Sequence, residues 1–194
     1  SSYSADKAAI RQIKLVASGS GTVYVDNIYF YGSSGSSSSS SSSSVTSSSS
    51  SSSSSSTAAV LTTAPSTVIP ADAVKVYTDA VVTTGFDTCP NWGQATVCIP
   101  EQTIAGNKVI GYSNLNYQGL DWYNNPIDVS AKTTLHVDMW TPDLTGIEIS
   151  LISAGPVENP VLQILAPGSW TSVDIPLSSY SADKAAIRQI KLVA

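Results

Sequence analysis

Histidine occurs once in this 194-residue chain, methionine once, cysteine twice and phenylalanine twice. One histidine (His136) with two cysteines is too few for a clustered zinc site. No GxSxG elbow is present, and no strand segment carries an evident pair of acids of the kind glycosidases use. The residues therefore nominate no catalytic group, and the expectation is a protein that is not an enzyme. Charge is also scarce. Charged residues make up 12 % of the chain, with nine Lys+Arg against fourteen Asp+Glu, about half the usual share. A net charge of -5 without a basic cluster argues against nucleic acid as a partner, because phosphate neutralisation needs clustered cations. No apolar run approaches the ~20 residues of a membrane span, so no membrane insertion is expected. The first residues are polar and do not read as a signal peptide.

Serine, by contrast, is abundant. Of the 24 residues from Ser33 to Ser56, 21 are serine, and a Thr/Ala/Pro-rich stretch continues to Ile69. Runs of this kind behave as flexible linkers, with a root-mean-square span of roughly 35 Å for this length. Ser/Thr/Pro-rich stretches are also typical carriers of O-linked sugars, and glycosylation with immobilisation against neighbouring domains is one reading of the tract.

An internal repeat organises the chain. Ser1–Ala17 reads SSYSADKAAIRQIKLVA, and Ser178–Ala194 repeats the same seventeen letters. The window then reads as one period of a tandem array plus an overlap. Residues 1–32 are the C-terminal strands of a sandwich domain, belonging to a preceding repeat or donated to a neighbour. Residues 33–69 are a low-complexity polyserine linker, and 70–194 are most of the next sandwich, lacking its last strand. An open edge of that kind invites strand donation. Head-to-tail contacts that do not close build a filament, so copies of the same chain are the expected partners.

The remaining sequence reads as short strands separated by Gly, Pro and Asn. The candidates are 74–82, 108–119, 133–141, 147–153, 170–177, 187–193 and 22–31. Leu135, Val137 and Met139 alternate with His136, Asp138 and Trp140, the pattern of a half-buried strand. This places His136 and Asp138 on one face, as a hydrogen-bonded pair more than an acid/base couple. SADKAA is the one helix candidate, with Ser181 as its N-cap. Seven or more antiparallel strands in this length predict an all-β fold, a jelly-roll-like antiparallel β-sandwich.

The succession YTDA, PNWGQ, NLNYQGLDW, LHVDMWTPD, ISAGPVE, GSWTSVDIPLSSY, IRQIKL and VYVDNIYFY resembles the non-catalytic carbohydrate-binding modules of secreted bacterial endoglucanases of the laminarinase type. The polyserine linker is similar to those between the modules of such enzymes. The resemblance implies a secreted, extracellular protein that binds polysaccharide. Repetition with no catalytic domain in view departs from the family's pattern and favours a scaffold. In an extracellular protein, Cys89 and Cys98, with eight residues between them, read as a disulfide; a reduced pair is the alternative. In modules of this kind the first and last strands often share a structural calcium, which implicates Asp79 and Asp26 as oxygen ligands.

Sugar binding needs flat aromatic faces bordered by amides and carboxylates. Trp92, Tyr117, Trp122 and Tyr123, beside Gln94, Asn116, Gln118 and Asp121, form the expected glycan-binding platform, centred on Trp92 and Trp122. Trp140 and Trp170, within regular strands, read as core.

Overall fold

The computed structural model describes residues 20–33, 59–154 and 157–194. Two antiparallel sheets face one another, confirming the all-β sandwich. Strands β1 (Gly21–Tyr31), β2 (Val74–Tyr77), β3 (Val97–Ile104), β4 (Asn107–Leu115), β6 (Thr134–Trp140) and β9 (Trp170–Pro176) form the larger sheet. Its order is β3-β4-β1-β6-β9, with β2 beside β1. Strands β5 (Tyr117–Asp121), β7 (Gly146–Ile152), β8 (Val161–Ile164) and β10 (Gln189–Val193) form the smaller sheet, in the order β5-β10-β7-β8. Residues 1–19 and most of the serine tract (34–58) lie outside the described residues, as do the readings made for them.

The core lies between the sheets. From the larger sheet come Val23, Val25, Ile28, Phe30, Leu135, Val137, Met139, Val173 and Ile175. The smaller sheet contributes Leu120, Ile147, Ile149, Leu151, Ile190 and Leu192, all buried. Burying such a side chain stabilises the fold by about 1.5–3 kcal/mol.

The inward residues of β1 change phase, from odd numbers at Val23 and Val25 to even numbers at Ile28 and Phe30. Strict alternation allows no such change. A bulge produces it. The register with β6 slips between Asp26 and Tyr29, and Asn27 takes a left-handed φ of 47°, which Asn tolerates better than most residues.

Several expected elements are redrawn. The segment read as one strand over 108–119 is two strands, because the chain leaves the larger sheet after Leu115 and enters the smaller one at Tyr117. Strands β3 and β8 were not anticipated; Pro100 sits inside β3 and β8 has four residues. SADKAA forms turns in place of a helix, and a 3-10 turn at Leu177–Ser179 precedes it. The Lys184 ammonium bonds the carbonyls of Tyr180 and Ala182 there, an arrangement outside the helical ladder. Strand β6 is buried on both faces, where alternation predicted one.

The cover on its second face includes residues 59–69, assigned to the linker on composition. Leu61 is buried with Val109 and Trp140, against which Tyr24, Ile104 and Trp170 pack. The Trp170 indole N–H donates to the Thr63 carbonyl at 2.7 Å. The two tryptophans read as core therefore differ: Trp140 is buried beneath this strap, and Trp170 is half-buried at its margin.

Candidate functional site

The loop from Cys89 to Cys98 folds over β5. The two cysteines are joined by a disulfide with a Cα–Cα distance of 6.2 Å. Inside the loop, side-chain amides replace backbone pairing. Gln94 Oε1 accepts the Trp92 N–H at 2.6 Å, and Gln94 Nε2 donates to the Pro90 carbonyl at 2.7 Å and to Gln118 Oε1 at 3.0 Å. Asn116 Oδ1 accepts from the backbone N–H groups of Ala95 and Thr96 and from the Thr96 hydroxyl. The Tyr117 hydroxyl donates to the Trp92 carbonyl at 2.8 Å.

These bonds lay the Trp92 ring on Gly119. A Cβ at Gly119 would come within 2.5 Å of that ring, so glycine is required for the contact. Tyr117, Gly119 and Asp121 share the outer face of β5, because Leu120 between them points into the core. Trp92 and Tyr117 are each half-buried, and the Lys191 ammonium stands 5.3 Å from the centre of the Tyr117 ring. Asp121 accepts the Tyr123 N–H at 2.7 Å and the Gln189 amide at 3.2 Å. Tyr123 is 51 % exposed, and the Arg188 guanidinium lies over its ring at 4.9 Å.

Two expected members are misplaced. Trp122 is fully buried, and its indole N–H donates to the Ile187 carbonyl at 2.8 Å. Its ring faces meet Phe86 and the core, not solvent. Gln118 is also fully buried, its amide bonded to the Gly119 carbonyl. Trp92, Tyr117, Asp121 and Tyr123 remain at the surface, while Gln94 and Asn116 shape the loop.

Asp26 and Asp79 lie close enough for Asp79 to raise the Asp26 pKa. Burial is the larger cause, and together they push Asp26 up to about 6 against the hydrogen bonds it accepts. Its Oδ1 accepts the Asn27 N–H and its Oδ2 the Asn107 amide, each at 2.7 Å. Asp79, exposed, accepts the Lys108 N–H at 2.7 Å. Calcium takes six to eight oxygen ligands. Among the described residues no three His, Cys, Asp or Glu side chains gather as a metal group, and both Asp26 oxygens already face N–H donors. The calcium expectation rests on the resemblance alone.

A second polar cluster occupies the outer face of the larger sheet. His136 stacks on Tyr29 with ring centres 4.6 Å apart. Its Nδ1 bonds Asp174 Oδ1 at 2.7 Å, and its Nε2 lies 3.3 Å from Asp138 Oδ1. Burial disfavours the imidazolium, but the two carboxylates outweigh it and raise the His136 pKa to about 9. Asp138, fully buried, also accepts from Asn27 Nδ2 at 2.9 Å and from the Ser172 hydroxyl at 2.6 Å. Burial would raise its pKa, but these bonds with His136 and the Thr67 hydroxyl hold it below the ordinary value. The shared face of His136 and Asp138 was legible from their spacing; Asp174 was not, since it sits on another strand. The two carboxylates favour the charged form of His136, through the Nδ1 bond to Asp174 and through the proximity of Asp138 to Nε2, which itself makes no hydrogen bond.

No family model, curated protein or solved structure matches this chain. The fold and the disulfide therefore carry the description of the protein by themselves. A disulfide points to an oxidising, extracellular-like compartment, and among the described residues no helix is long and apolar enough to cross a membrane.

Proposed function

We propose that this chain is the repeat unit of a secreted tandem-repeat protein, with domains like carbohydrate-binding modules that assemble head to tail into an extracellular filament or matrix. The observation that carries this reading is the position of β1. It is a central strand of the larger sheet, paired with β2, β4 and β6, yet the serine tract separates it in sequence from every other strand among the described residues. A sandwich closed by a strand from across a linker is suited to closure by a neighbour's copy of that strand. Electron microscopy of the protein, with mass spectrometry of the serine-tract peptide, tests the reading. Regular filaments bearing a glycosylated tract are expected; isolated beads on an unmodified tract would overturn it.

A second reading, a β-glucan-binding module of a multimodular enzyme, is favoured by the Trp92 ring on Gly119 beside Tyr117. Affinity electrophoresis in a β-glucan gel tests it. Retardation that disappears in Trp92→Ala while the melting midpoint holds would support it, and unchanged mobility of the two proteins would remove it.

A further inference from the structure

The segment Ser178–Ala194 fills a demanding slot. Strand β10 pairs along five residues with β5 on one side and with β7 on the other. Tyr180, Ala182, Ile187, Ile190 and Leu192 are buried in it, and the Ile187 carbonyl receives the Trp122 indole. Without this segment, two sheet edges and part of the core would stand open. The slot discriminates by sequence, and the chain contains that sequence twice.

The position of β1 gives the duplicate a physical route in. The Ala194 N–H donates to the Asn116 carbonyl, while Gly21, the first residue of β1, is paired with Leu115. The end of the segment in the slot and the start of β1 thus sit on adjacent residues, a separation on the order of 10 Å. In sequence, the duplicate ends at Ala17, and Ser18, Gly19 and Ser20 lead from there to Gly21. Four virtual bonds of that connection reach roughly 13–14 Å. A segment lying in the slot can therefore run directly into β1 without β1 moving.

We propose that the slot between β5 and β7 is a strand-exchange site whose second occupant is this chain's own Ser1–Ala17, entering in the register of Ser178–Ala194. Each buried residue has its counterpart, with Ile13 for Ile190 and Leu15 for Leu192. The contacts made within the slot are the same for both occupants, so connectivity alone distinguishes them: one hangs from β9 through Leu177 and the other from β1 through Ser18–Ser20. Entry of the first copy releases Ser178–Ala194 on a tether at the end of β9. This exchange follows from the repeat and the slot geometry, and stands whether or not filaments form.

The test is a substitution cycle in the full chain, since redundant segments mask one another and a pair of substitutions exposes them. Ile13→Asp is expected to leave the melting midpoint unchanged. Ile190→Asp is expected to lower it by no more than about 5 °C, and the double variant by more than about 15 °C or to the point of not folding. If Ile190→Asp melts as low as the double variant, Ser1–Ala17 does not fill the slot and the proposal is overturned. A cross-link checks the register, because Val193 lies opposite Tyr117 and Val16 is its counterpart. In the Ile190→Asp background, Val16→Cys with Tyr117→Cys is expected to form a disulfide within one chain. Cross-linked dimers would overturn the own-chain assignment and give the slot to a second copy. Absence of filaments with the cycle intact would reject head-to-tail assembly alone.

Discussion

On the outer face of the larger sheet Trp140 keeps 3 % of its surface exposed, whereas on the smaller sheet Ile164 of β8 keeps 72 %. The first face is covered by a strap containing Leu61, Thr63 and Thr67, and beside the strap the buried His136 and Asp138 form an ion network with the exposed Asp174. The second presents Leu162 and Ile164 to solvent, with Trp92 resting on Gly119. Both faces belong to one sandwich and share one core. The difference teaches that alternation along a strand predicts which face meets the other sheet, and says nothing about whether the opposite face is wet. Only chain from elsewhere decides that.

The contrast is broken most severely at Asp138. Asp138→Ala removes the acceptor for Asn27 and Ser172 and one carboxylate of His136. Breaking a buried pair in this way costs about 3–5 kcal/mol, to be read from urea unfolding. Next comes pH. The His136 pKa is raised in the folded state to about 9 from 6.5, so the contribution of the cation is fully present below pH 6.5 and is lost as pH rises through about 9. The loss is on the order of 3 kcal/mol, and the same titration of His136→Gln is expected to be flat across that window. The smallest effects sharpen the comparison directly. Leu61→Ala, in the strap itself, costs about 2 kcal/mol, and Ile164→Lys on the bare face changes stability by less than about 0.5 kcal/mol. Equal costs for the two would mean that the strap does not hold in solution.

Much of the fold was legible because β-branched and aromatic runs punctuated by Gly and Pro are a local signal. TVYVDNIYFY and TTLHVDMWT announce β1 and β6 without help. The disulfide was legible from the two cysteines once the resemblance implied an extracellular protein. The strap was not, because one leucine in a Thr/Ala/Pro-rich stretch carries no periodicity, and its binding site is built from Trp140 and Trp170 far along the chain. Trp122 was misread for a related reason. Its neighbours NYQGLDW look like a surface loop, but Leu120 and Trp122 follow the inward beat of β5, and Ile187 supplies the carbonyl that lets an indole be buried. SADKAA has helical composition, yet the chain must cross from β9 to β10 between the two sheets, and that path overrides propensity.

The bulge at Asn27 acts as a dislocation in an otherwise periodic lattice. A regular strand can slide by two residues and still present the same faces, so nothing in its alternation forbids a wrong alignment. With one misfit residue built in, Val23 and Val25 face inward only if the misfit falls where β6 can take it, with the Asn27 amide on Asp138. Moving the defect two residues earlier would put Asp26 in the core, and moving it two residues later would put Asn27 there. Strand β1 therefore carries its own alignment mark, and whichever chain delivers this strand to a sandwich, it can seat at one position and no other.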